Sequence, residues 1–106
     1  MSHRISFLCE ARQDIKDITS YLSQYYASTA RNFAAKLKKQ VNQLKTLPLM
    51  YPVYEDDQLY RRMVIDDYLL FYSVEEKRNL VIIHRIFHSK RDVSQQLLSY
   101  NNRMDE

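Results

Sequence analysis

Not one of the 106 residues is glycine. Glycine is the residue that enters left-handed backbone without steric cost, so tight turns here must be built from Asn, Asp or Pro. The sequence offers Asp66-Asp67, Arg78-Asn79 and the two prolines, Pro48 and Pro52. The same absence excludes a phosphate-binding P-loop and a dinucleotide fingerprint, which need glycine where the backbone approaches a phosphate. Nucleotide-cofactor enzymes of those kinds are therefore out.

Between the turn sites the hydrophobic periodicity changes from one stretch to the next. Ile5, Phe7 and Cys9 alternate with Arg4, Ser6 and Leu8, which reads as a strand over 4–9 with Cys9 buried in it. Ala11, Ile15, Ile18, Leu22 and Tyr25 then recur at spacings of four and three, the stripe of an amphipathic helix over about 10–26. Ser28 has the character of an N-cap and opens a second helix, about 28–46, whose stripe is Ala30, Phe33, Ala34, Leu37, Val41 and Leu44. The short joint at Ala27 makes the two an antiparallel hairpin. After the prolines and an irregular loop over 51–58, three runs rich in Tyr, Val, Ile, Leu and Phe cover about 59–66, 68–74 and 80–87. Their tight links predict an antiparallel meander. Asp92, three residues before Gln95, forms a capping-box-like start to a short helix with Val93, Leu97 and Leu98, and the polar tail over about 100–106 is expected to fray. The order predicts one α+β domain over 1–106, with the helical hairpin on one face of the sheet.

Composition fits a folded domain, with 45% hydrophobic and 27% charged residues. No apolar run approaches the roughly 20 residues of a membrane span. The start MSHRISF has no apolar signal core, so the expected location is the cytoplasm, with no membrane partner. Cys9 is the only cysteine, which rules out an internal disulfide and a zinc-cysteine cluster. Net charge is only +3, but residues 1–53 carry eight Lys/Arg against three Asp/Glu, while 54–106 carry eight against ten.

The candidate chemistry lies at the end of the meander. His84, Arg85, His88, Lys90 and Arg91 follow one another closely, just before a helix start whose free N–H groups also favour anions. In a regular strand Arg85 faces away from His84. Arg61 and Arg62, on the first strand of the meander, can add one cation to this set. Such a cluster could clamp a phosphodiester, with a histidine for proton transfer; equally, its members could pair with Asp66, Asp67 and Asp92 as a solvated surface. Spacing alone leaves both open. His84 and His88 stand roughly 13 Å apart on a strand, too far for one metal ion, so neither a metal nor a cofactor is expected. Tyr51, Tyr54, Tyr60, Tyr68, Tyr72 and Tyr100 read as amphipathic core and boundary residues rather than base-stacking surfaces or proton donors, and the alternation of Tyr68 and Tyr72 with Leu69 and Phe71 fits a sheet buried on both faces.

Two stretches together resemble a known family. The pattern Ala11, Asp14-Ile15, Ile18, Tyr21-Leu22, Ala30, Phe33, Leu37, Leu44 and Pro48 is similar to the helical hairpin of the RelE/ParE toxins of bacterial type II toxin–antitoxin modules. Tyr60-Arg61, the strand YLLFYSV and IIHRIFHSKRD running into VSQQLL resemble their second half. The resemblance implies the fold strand, two helices, three-stranded meander, short helix. It also implies a cytoplasmic growth inhibitor neutralised by a cognate antitoxin, whose acidic segment would meet Lys36, Lys38, Lys39 and Lys45.

The family divides into ribosome-dependent mRNA nucleases and inhibitors of DNA gyrase. Nuclease members often carry an arginine where this chain has Leu69, and lysines where it has the acidic loop YPVYEDDQ. Their late tyrosine has no counterpart at the matching positions, although Tyr100 lies a little beyond. Arg61, His88, Lys90 and Arg91 remain as catalytic or target-binding residues. The ending His88, Arg91, Asp92 is similar to that of ParE-like and plasmid-stabilisation members. The resemblance therefore favours a ParE-like gyrase inhibitor. The alternatives are a RelE-like endoribonuclease acting on ribosome and mRNA, and an inert module that only binds antitoxin.

Overall fold

Among the described residues, left-handed backbone occurs at Asp66 (φ 52°) and Asn79 (φ 49°), both at the turn sites read from the glycine-free sequence. These short polar side chains tolerate that region better than any other residue after glycine. The turns they make join the strands of the meander in a computed structural model that describes residues 2–90 and 93–104. Strand β1 (Arg4–Phe7) is followed by helices α1 (Cys9–Ser23) and α2 (Ala27–Gln43). Strands β2 (Arg61–Ile65), β3 (Tyr68–Glu75) and β4 (Leu80–His88) come next, with a 3-10 turn over Glu76–Arg78, and helix α3 (Val93–Met104) closes the chain.

The sheet order is β1-β4-β3-β2. Neighbours in the meander run antiparallel, as expected, whereas β1 joins β4 in parallel, so the sheet is mixed. The hairpin of α1 and α2 packs on one face, where Ala11, Ile18, Phe33, Leu37, Val41 and Leu44 meet Met63, Ile65, Leu70, Tyr72 and Ile83. Helix α3 packs on the other, where Val93, Leu97 and Tyr100 meet Tyr60, Phe71 and Phe87. The sheet is thus buried on both faces, and Tyr68 and Tyr72 are buried as the alternation implied.

Several local expectations fail for identifiable reasons. Cys9 is exposed and begins α1, because bringing Ala11 into the core requires the helical phase to start directly after the strand. Tyr26, not Ser28, is the N-cap of α2, and its side chain makes no capping bond. Helix α1 stops at Ser23, so Tyr25 leaves the buried stripe and stands 63% exposed. Ala34 is also exposed. The final helix runs further than expected, through Met104 of the tail expected to fray, because Tyr100, only 1% exposed, packs in the second core. Asp92, proposed to start it, lies outside the described residues.

Both edges of the sheet are partly closed by neighbouring groups, which limits uncontrolled strand pairing. β1 pairs with β4 only as far as Ile83; beyond it, Asp14 of α1 accepts the Ile86 N–H at 2.9 Å. On the far edge Gln40 of α2 donates to the Val64 carbonyl at 3.1 Å, and the Arg62 N–H reaches the Pro52 carbonyl at 3.0 Å.

Candidate target-binding site

A register shift in the pairing of β3 with β4 decides where the cationic cluster goes. Phe71 pairs with Arg85 and Tyr72 with Ile83, leaving His84 as an extra residue in a β-bulge. His84 and Arg85 consequently do not face opposite ways: both reach Tyr100. The His84 Nδ1 lies 2.9 Å from the Tyr100 hydroxyl and its Nε2 2.8 Å from the Ser73 hydroxyl. Its ring stands edge-on to Tyr60 with centroids 4.9 Å apart. Burial lowers its pKa, against a smaller upward pull from Glu10 and Glu75. It is a polar link inside the second core, not a surface imidazole.

Arg85 is committed as well. Its Nε and Nη2 donate to the two oxygens of Asp14 at 2.7 and 2.9 Å, a bidentate pair with both side chains mostly buried. The guanidinium lies 4.6 Å from the centre of the Phe87 ring and 5.7 Å from that of Tyr100. Arg61 sits at the other end of the sheet. Its Nη1 donates to the carbonyls of Tyr51 and Leu49 at 2.8 and 3.4 Å and so anchors the proline-bounded loop. Beside it, burial pushes the Tyr72 hydroxyl up to about 12, with Arg61 opposing the shift, and that hydroxyl donates to the Pro48 carbonyl at 2.8 Å. Arg61 pairs across β2–β3 with Tyr72, while His88 pairs with Tyr68 across β3–β4. Four residues of strand, roughly 13 Å, therefore separate them along the strand direction.

The structure keeps His88 and Lys90 together. His88 ends β4 with its ring edge-on to Tyr68 at 5.2 Å, and its Nδ1 accepts the Lys90 N–H at 3.1 Å. Accepting at Nδ1 requires the neutral ring with its proton on Nε2. Both line a cleft of about 390 Å³ between α1, the end of β4 and Gln96 of α3, walled also by Ile18, Tyr21 and Tyr68. Arg91 lies outside the described residues. Among those residues, no group of three His, Cys, Asp or Glu side chains is placed to hold a metal ion.

The four lysines of α2 and its exit separate by partner. Lys36 pairs with Asp66 at 2.8 Å. Lys38 and Lys45 flank a groove of about 750 Å³ between α2 and β1, floored by Ile5, Phe7, Leu37 and Val41. Lys39 is exposed. In the parallel ladder Arg4 and Leu8 donate toward β4, so the intervening Ile5 turns its N–H and C=O to the open edge beside this groove. Sequence reading found the lysines but not the groove, which exists only because β1 is an edge strand. It used Tyr21 only within the hairpin pattern and Tyr26 not at all, although three tyrosines within six positions at a helix joint are visible in the sequence.

Comparison with known proteins agrees with this architecture. Residues 5–93 match the model of the ParE toxin of the type II toxin–antitoxin system, parDE. No curated protein sequence matches. Among solved structures, the chain is similar to a chain of the chromosomal ParDE toxin–antitoxin system from P. aeruginosa, with TM-score 0.72 and 14% identity over 84% of this chain and 98% of that one. It is also similar to a chain of the archaeal RelE–RelB complex from Pyrococcus horikoshii, with TM-score 0.60 and 14% identity over 86% and 99%. A chain of the RelBE2 toxin–antitoxin complex from Mycobacterium tuberculosis gives TM-score 0.57 and 20% identity over 83% and 92%. At these identities the structures speak for the fold, and the family model, covering most of the sequence, for membership: the chain belongs to the ParE toxins of type II toxin–antitoxin systems.

Proposed function

We propose that this chain arrests growth by poisoning DNA gyrase and is neutralised by a cognate antitoxin. The observation that carries the reading is the dispersal of the cations. Cleavage of a phosphodiester needs positive groups aimed at one developing charge. Here Arg85 is tied to Asp14, Arg61 is tied to loop carbonyls far from His88, and Leu69 stands where nucleases of the wider family often carry arginine. His88 and Lys90 are better suited to holding a partner than to cutting RNA. Purified protein should block supercoiling of relaxed plasmid by gyrase; full supercoiling at micromolar excess rejects the reading. The retained imidazole beside Lys90 is what favours the second reading, a ribosome-dependent nuclease. That reading requires mRNA cleavage at codon boundaries only with ribosomes present, and loss of cleavage in Arg91→Ala and His88→Ala.

For the antitoxin, the groove beside β1 is the favoured dock. An extended segment can pair with the outward backbone of Ile5 and place alternate apolar side chains against Leu37 and Val41. Acidic residues in it would meet Lys38 and Lys45, with Lys39 nearby on the same helix, while Lys36 must first release Asp66. Affinity should fall with rising salt. Lys38→Glu with Lys45→Glu should weaken binding at low salt and remove most of that salt dependence; an unchanged titration would place the antitoxin elsewhere.

A further inference from the structure

At the joint of the hairpin, far along α2 from the basic groove, three tyrosines stand in solvent: Tyr21 is 51%, Tyr25 63% and Tyr26 72% exposed. Tyr21 and Tyr25, one helical turn apart, meet edge-to-face with centroids 5.4 Å apart. Asp17 precedes Tyr21 by one turn on the same face of α1. Tyr21 also divides two clefts. On one side is the cleft of about 390 Å³ that holds His88 and Lys90. On the other is one of about 670 Å³ against Leu22, Phe33, Lys36 and Asp67. Two hollows that meet at an exposed tyrosine, with a second tyrosine packed edge-on against it, are the form of a protein-recognition site, where tyrosines supply large contact area at low entropic cost.

Charge decides which class of macromolecule fits. Asp14 and Asp66 are cancelled by Arg85 and Lys36. Among the described residues lining the two clefts, Asp17 and Asp67 carry no ion pair and face a single uncommitted cation, Lys90. A nucleic acid backbone, which binds by neutralising several phosphates, gains nothing from such a surface. A protein segment with apolar side chains and one lysine or arginine gains twice, from the carboxylates and from the faces of the tyrosines.

We propose that Tyr21 and the two clefts it lines, with Tyr25 and Tyr26 exposed beside it, are the surface by which this toxin grips its target, and that the target is met as a protein segment carrying a basic side chain among apolar ones. The inference rests on the reading of the chain as a toxin with a protein target and assigns Tyr21 and Tyr25 as its anchors.

The test expresses the full chain without antitoxin and compares the inducer level needed for growth arrest, with supercoiling by purified gyrase measured in parallel. Tyr21→Ala with Tyr25→Ala should raise the required level about tenfold or more, equivalent to about 1.4 kcal/mol of binding. Thermal unfolding should not change, and Tyr21→Phe with Tyr25→Phe should retain arrest. Asp17→Lys with Asp67→Lys should also weaken arrest. Undiminished arrest by the alanine variant overturns the proposal. Stronger arrest by the lysine variant overturns it too, since only a polyanionic partner would welcome that change. Should wild type arrest growth without touching supercoiling while the alanine variant loses arrest, the gyrase reading falls and this surface stands. Should wild type inhibit supercoiling and the alanine variant inhibit it equally, gyrase stands and this surface falls. A wild-type chain that arrests nothing removes both.

Discussion

His84 shows how the meaning of one residue is fixed by its neighbours. Next to Arg85, His88, Lys90 and Arg91 in sequence it looks like part of a cationic platform, yet a one-residue bulge turns it into a hydrogen-bonded member of the second core. Its folded-state pKa lies below the ordinary value near 6.5 because burial penalises the imidazolium. The unfolded chain therefore binds the proton more readily. The stability His84 contributes is complete above about pH 6.5 and is lost as the pH falls from there toward the folded pKa. Urea unfolding at pH 7.5 and 5.5 should show the lower stability at 5.5, and His84→Gln should flatten that difference. Asp14 is the second residue whose sequence context hides its role. Removing its carboxylate leaves Arg85 buried without a counter-ion and the Ile86 N–H without an acceptor. Asp14→Ala should cost about 3 kcal/mol, the lower end for breaking a buried pair. A loss below about 1 kcal/mol in the same titration would mean that the pair is far better hydrated than its burial implies.

Among elements, the turns were the most legible and the last helix the least. A chain with no glycine needs Asn or Asp wherever φ becomes positive, and Asp66 and Asn79 take those positions. Asn79→Ala should destabilise by about 1 kcal/mol, the cost of a Cβ in left-handed backbone, while Asn79→Gly should be close to neutral. Helix α3 was underestimated because YNNRM reads as a solvated tail. Tyr100 and Asn101 nevertheless find partners inside: Tyr100 at His84, and Asn101 at the Tyr60 hydroxyl (2.5 Å) and the Asp57 carboxylate (2.6 Å). Polar tips that are satisfied across 16 to 44 residues of sequence leave no local periodic trace. Leu97, 1% exposed against Phe71 and Phe87, is the apolar peg of the same helix. Leu97→Ala should cost about 2–5 kcal/mol in equilibrium unfolding.

Across the whole molecule, the sheet is a partition. The hairpin fills one face and α3 fills the other; two of the surfaces left outside are a basic groove along β1 and the exposed tyrosines at the hairpin joint. Among the described residues no helix is long and apolar enough to cross a membrane. Separation of the two surfaces predicts separable losses: Lys38→Glu with Lys45→Glu should impair neutralisation by antitoxin yet leave growth arrest intact, measured as arrest with and without the antitoxin co-expressed. Loss of arrest in that variant would mean that groove and target surface overlap. The sequence by itself determined the periodicities, hence the hairpin, the meander and the turns, because those follow from spacings of two to four residues along the chain. It also carried the resemblance to the toxin family, since an ordered set of core positions survives without any shared catalytic motif. Only the tertiary structure decided which charges were available. Whether Arg85 faces solvent or Asp14, and whether His84 lines a site or a core, depends on a bulge in β4 and on a helix 71 residues away. Ion pairs between distant segments form at no fixed spacing, so the site becomes readable only after the chain has folded.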